Sequence, residues 1–183
     1  GSLYYSRIYK STNVGLTFAY ACSGITECNN SSTAPFNTGI VSWQGDASGN
    51  TVFTWSNTKA YKSTNYATSW TAMGVTGLPT TSLYLRGLGV DTSNVNRVGL
   101  VANSGRVFLS TNGGSSWTQS AALPNHGSSL SSVAFDPSNA NVVYVTSVAA
   151  DASKTHVWKS NDFGLSWSAI DGNGFPAGIP VNT

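Results

Sequence analysis

The chain has seven carboxylates, and their spacing divides them into groups with different chemical prospects. Asp46, Asp91 and Asp136 recur every 45 residues, each ahead of Ser and Asn (DASGN, DTSNVN, DPSNAN). A residue repeated in this way reads as a turn former that binds its own backbone, since catalysis rarely needs identical copies. Asp162 belongs to another repeated turn. Glu27, Asp151 and Asp171 remain. Acid-catalysed cleavage of a glycosidic bond needs two carboxyl groups, about 5.5 Å apart for retention and roughly 6.5 to 9.5 Å for inversion. Asp151 with Asp171, brought together across neighbouring repeats, is the pair that could meet this need. The alternative is that all three are solvated loop carboxylates.

Other side chains suit binding. Arg7, Lys59, Arg106 and His156 occupy one position in four successive repeats, four residues ahead of a conspicuous Ser. They read either as a basic rim that meets an anionic sugar or acidic surface, or as solvated strand ends. Arg86 lies in a strand-like run (LYLRGLGV), and Trp43 and Trp55 are the tryptophans best placed to stack on a sugar, the alternative reading being that both pack between sheets. Neither His126 nor His156 has a partner at metal or triad spacing, so no metal, cofactor or nucleophile is expected. Cys22 and Cys28 share one loop (ACSGITEC), followed by two glycosylation acceptors, Asn29 and Asn30. Two thiols without a nearby His make half a metal site; the remaining readings are a disulfide and free thiols.

The elements that must position these groups are announced by an eight-residue stretch that occurs four times: STNVGLTF from Ser11, STNYATSW from Ser63, STNGGSSW from Ser110 and SNDFGLSW from Ser160. The starts are 52, 47 and 50 residues apart, a period that means a solenoid or the blades of a propeller. Each copy lies between two short β-prone runs and reads as a hairpin turn. Ser and Asn or Asp fold back onto turn amides, Gly takes a positive φ, and the closing aromatic packs between sheets.

These four copies resemble the Asp-box (bacterial neuraminidase repeat) β-propeller family, whose signature is Ser-x-Asp-x-Gly-x-Thr/Ser-Trp/Phe. The matching residues are Ser11, Asn13, Gly15 and Phe18; Ser63, Asn65 and Trp70; Ser110, Asn112, Gly114 and Trp117; and Ser160, Asp162, Gly164 and Trp167. Asn13, Asn65 and Asn112 depart from the usual Asp, Ala67 from Gly, and Phe18 from Trp. The resemblance implies an all-β chain of four-stranded antiparallel blades, with the box between third and fourth strands and away from the ligand face. The expected layout is a half blade at 6–21, blades at about 38–73, 83–120 and 130–170, and the start of a further strand at 179–183. About three and a half blades do not close a propeller. The rest is expected from further blades of a larger propeller or from a second chain.

Sialidases of the family use an arginine triad, a Tyr-Glu pair and an acid Asp. Here Arg86 is the single arginine within an innermost strand, and the sole Glu is in a loop. Xyloglucan-degrading relatives share the DPSN-type turn seen in FDPSNANVVYV, and sortilin-type receptors share the boxes. The leading expectation is a non-catalytic binding or structural segment whose ligand is a glycan or a protein. The rival is part of a glycoside hydrolase whose other catalytic groups lie outside these residues.

Composition narrows the setting. Only 9% of residues are charged and the net charge is +2, so there is no basic stripe for nucleic acid. There is no apolar run of about 18 residues to span a membrane and no segment resembling a signal peptide. The polar, uncharged composition and the paired cysteines favour an extracellular or cell-surface location.

Overall fold

The computed structural model describes residues 2–172, and the expected strand at 179–183 lies outside them. The described residues form fifteen strands and no helix: β1 (Ser2–Leu3), β2 (Arg7–Lys10), β3 (Ala19–Tyr20), β4 (Val41–Ser42), β5 (Val52–Trp55), β6 (Ala60–Ser63), β7 (Thr71–Ala72), β8 (Leu85–Asp91), β9 (Asn94–Ala102), β10 (Val107–Ser110), β11 (Thr118–Gln119), β12 (Leu130–Phe135), β13 (Val143–Ser147), β14 (Val157–Ser160) and β15 (Ser168–Ala169). They pair in sequence order as antiparallel meanders, one three-stranded sheet (β1 to β3) followed by three four-stranded sheets. The first sheet has a strand more than the sequence suggested, because Ser2 and Leu3 pair with Ile8 and Arg7.

Side-chain alternation explains why the sheets stack as blades. In a strand, successive side chains point to opposite faces. In β9, Val98, Leu100 and Ala102 join Phe53, Trp55 and Phe108 in one apolar layer, while Val101 joins Val107, Leu109, Val143 and Trp158 in the next. The third sheet is therefore buried on both faces. A further layer of Ile8, Ile25, Tyr61 and Trp70 joins the first sheet to the second. The core is thus three layers, each sandwiched between consecutive blades. Along the inner side, β8 and β12 approach at backbone distance. A Cβ on Gly89 would sit inside van der Waals contact of the Val133 carbonyl oxygen.

The four repeated hairpins share one hydrogen-bond pattern. Val14 and Gly15, Tyr66 and Ala67, Gly113 and Gly114, and Phe163 and Gly164 all have positive φ. This is the turn whose twist matches paired strands. Each Ser oxygen accepts from the amide four residues on, at 2.8 Å for Gly15, 3.0 Å for Ala67, 2.9 Å for Gly114 and 2.8 Å for Gly164. The same hydroxyl donates to the Asn or Asp side chain two residues on. That oxygen in turn accepts from the amide of Thr17, Ser69, Ser116 or Ser166. Asn and Asp serve equally because the last hydroxyl changes role. Thr17, Ser69 and Ser116 accept from an Asn Nδ2, whereas Ser166 donates to Asp162 Oδ2.

The closing aromatics fasten each blade to the one before. Trp70 Nε1 donates to Ala21 O and Trp117 Nε1 to Gly74 O, each at 2.8 Å, and Trp167 Nε1 donates to Ser120 Oγ at 3.2 Å. Phe18, on the first sheet, is 59% exposed, and Val14 and Leu16 beside it are exposed as well.

Candidate functional site

Most of the carboxylates are engaged in holding the chain together. Asp46 accepts from Ser48 N and Thr51 N, and Asp136 from Ser138 N and Asn139 N, as turn formers do. The hydroxyl of Ser48, aided by Thr51, holds Asp46 down to about 2. Asp91 does more than close a turn. Fully buried, it takes the amide and hydroxyl of Ser93 on one oxygen and Arg97 Nη1, at 2.5 Å, on the other. Arg97 lies over Phe135 and Phe163 of the next blade, 5.5 and 4.9 Å from the ring centroids. This buried pair is an interblade strut.

The three remaining carboxylates stand in different settings. Glu27 is not solvated: it is 7% exposed and accepts from Thr26 Oγ1 at 2.8 Å and, through a short bond, from the Tyr61 hydroxyl. Lys59 Nζ lies 3.1 Å away. Burial pushes the Glu27 carboxyl up, but the bonds from Tyr61, Thr26 and Lys59 outweigh it and hold the group below its ordinary value. Burial and the bond to Glu27 push Tyr61 up to about 12. The cluster pins the loop closed by the Cys22–Cys28 disulfide onto the second blade.

Asp151 and Asp171 lie on the same blade, one in the β13–β14 loop and one just after β15, rather than on neighbouring blades. Asp151 is exposed and caps the amide and hydroxyl of Ser153, whose hydroxyl lowers its pKa most. Asp171 Oδ2 accepts from the His156 amide at 2.7 Å and faces His156 Nδ1 at 3.4 Å. Asp151 is thus held against Ser153 and Asp171 against His156, and each carboxylate has a partner within the blade.

The basic column does not form a free rim either. His156 is 4% exposed. Lys59 pairs with Glu27, Arg7 Nε donates to Tyr4 O at 3.3 Å, and Arg106 donates to Ser82 O and Asn103. Trp43 also turns from binding to packing, its Nε1 donating to Asp91 O on the next blade at 3.0 Å.

Two of the binding candidates do come together. Arg86, exposed on β8, and Trp55, buried at the end of β5, line a concavity of about 410 Å³ at the inner ends of three blades. Asn37, Thr38, Ser131 and Ser132 complete its polar wall. Gly39 is required there, because a Cβ would collide with the Trp55 ring. Trp55 Nε1 is buried without a partner. A second concavity of about 380 Å³ lies further out, lined by Asn57, Thr58, Lys59, Leu78 and Tyr84. The two share one end of the sheets, since Leu85 N donates to Asn57 O in the β5–β6 turn at 2.8 Å. Tyr84, half exposed, faces the outer concavity and Arg86 the inner one, with Leu85 buried between them. No carboxylate lines either. Sequence reasoning picked out Trp55, Arg86 and Lys59 but missed Tyr84, whose alternation with Leu85 and Arg86 was the available signal.

No family model matches the sequence, and no curated protein matches it. Solved structures do. An ancestral GH74 enzyme superposes with a TM-score of 0.63 and 24% identity over 90% of this chain and 21% of its own. The GH74 enzyme of Niastella koreensis gives 0.69 and 18% over 93% of this chain and 27% of its own. YCF48 bound to a D1 peptide gives 0.52 and 12% over 72% of this chain and 44% of its own. The chain therefore spans about a quarter of the length of the GH74 enzymes and less than half of YCF48. The likeness, with the sheet order described above, makes this chain a segment of a β-propeller.

Proposed function

We propose that the chain is an extracellular Asp-box propeller segment whose Tyr84–Arg86 end binds a glycan without cleaving it. The observation that carries this reading is the lining of the two concavities: an aromatic face, a guanidinium, and hydroxyl and amide groups, with no carboxylate among the described residues. Polar groups of this kind orient a sugar, while an aromatic face covers its apolar side. Bond cleavage would need two carboxyl groups within reach. The low charge and the disulfide loop support an extracellular setting. The uncovered Phe18 face supports further blades, or a second chain, as partner.

The test is equilibrium binding of plant and bacterial oligosaccharides to the chain, alongside an assay for new reducing ends. Binding that is weakened at least tenfold by Tyr84→Ala, with no new reducing ends, is the expected result. Release of reducing ends by this chain alone would overturn it.

The GH74 likeness over 93% of the chain supports a second reading, part of a glycoside hydrolase. The same groove would then be one stretch of a longer substrate cleft whose acid and base stand on other blades.

A further inference from the structure

We infer that the glycan read by this groove carries carboxylate groups, as a uronic-acid polymer does, and that Arg86 is their counter-ion. This inference rests on the binding role proposed above and specifies its ligand class.

Of the four arginines, Arg7 and Arg106 donate to backbone oxygens and Arg97 is buried against Asp91. Arg86 donates no hydrogen bond to any described residue, although it sits within a strand between buried Leu85 and Gly87. The carboxylates are spoken for as well. Glu27 holds Lys59, Asp91 holds Arg97, Asp171 holds His156, and Asp46, Asp136, Asp151 and Asp162 each cap a turn with Ser. The charge of Arg86 is thus uncompensated at a concave surface, where low-dielectric walls strengthen its field.

A guanidinium presents paired N–H donors whose spacing matches the two oxygens of a carboxylate. The groups around it fit the rest of a sugar ring, with Asn37 and Ser132 at the wall for hydroxyls. Tyr84, two residues away and on the outer side of Leu85, is placed to cover the neighbouring residue of the same polymer. A neutral glycan would leave the arginine unanswered, and an acidic peptide would not use the aromatic face in this way.

The experiment is calorimetric titration of the chain with trigalacturonate and with its fully methyl-esterified form, which keeps the sugar rings and masks the charge. Arg86→Gln, Arg86→Lys and Tyr84→Ala are titrated in parallel, with circular dichroism melts to show that each variant folds. The acid should bind at least tenfold more tightly than the ester. Arg86→Gln should erase that difference, with the acid losing far more affinity than the ester, and Arg86→Lys should restore part of it. Equal affinity for acid and ester would overturn the inference and leave the binding role standing. Binding to neither would also overturn the inference, and the binding role would then stand or fall on the wider set of oligosaccharides. Displacement of bound trigalacturonate by a poly-glutamate peptide at equal or lower concentration would overturn the glycan class.

Discussion

Trp117 offers the sharpest test of how the blades hold together. It is 5% exposed in the layer between the second and third sheets, and its Nε1 donates to Gly74 O at 2.8 Å. Trp117→Phe keeps an aromatic ring but removes the donor and leaves a carbonyl in the interface unpartnered, which costs about 1–3 kcal/mol. With the loss of part of the ring, the expected total is about 2–3 kcal/mol. Trp117→Ala should cost about 4–5 kcal/mol, near the top of the range for a large aromatic. Phe18→Ala, at the equivalent position of the first sheet, should cost less than about 1 kcal/mol, because that ring is already largely in water. The assay is urea unfolding followed by far-ultraviolet circular dichroism, with amide exchange of β6 and β10 showing whether the two flanking blades open together. A Trp117→Phe variant within about 0.5 kcal/mol of the parent would mean the carbonyl is hydrated and the layer does not close there. A Phe18→Ala cost equal to that of Trp117→Ala would mean the first face is covered in solution.

Two further outcomes follow from buried polar groups. The carboxyl of Glu27 is held below its ordinary value, so its ionised form contributes stability above that value and loses it as pH falls through the lowered one. Glu27→Gln should therefore flatten the acid side of the stability profile below about pH 4.5, read as the urea midpoint between pH 6 and pH 3; equal slopes would refute the pairing. Ser110→Ala removes the acceptor of the Asn112 and Gly114 amides at a 2%-exposed position. It should cost about 2 kcal/mol, and a variant as stable as the parent would show that the hydroxyl is dispensable to the turn.

What could be read from the residues and what could not divides along sequence distance. The four hairpins were legible because their bonds run between residues two to four apart, within one stretch such as Ser110 to Ser116. Asp46 and Asp136 were legible for the same reason. Asp91 was only half legible, because its second partner, Arg97, faces it across an antiparallel turn whose register no local pattern states. Glu27 was misread as a solvated loop acid since its partners Lys59 and Tyr61 come from the following blade. His156 looked like a member of a surface column, yet Asp171, fifteen residues on, encloses it. Bringing Trp55, Arg86 and Tyr84 to one end required blade to lie against blade, which spacing along the chain does not encode.

The exchange of Asp for Asn in three of the four turns has an effect beyond geometry. An amide has no proton to gain in acid, so the bonds of Asn13, Asn65 and Asn112 are blind to pH. Only Asp162 must stay ionised, and the bonds from Ser166 and Ser160 lower its pKa. A chain built this way keeps its hairpins through an acidification that would strip the turns of an all-aspartate version one after another.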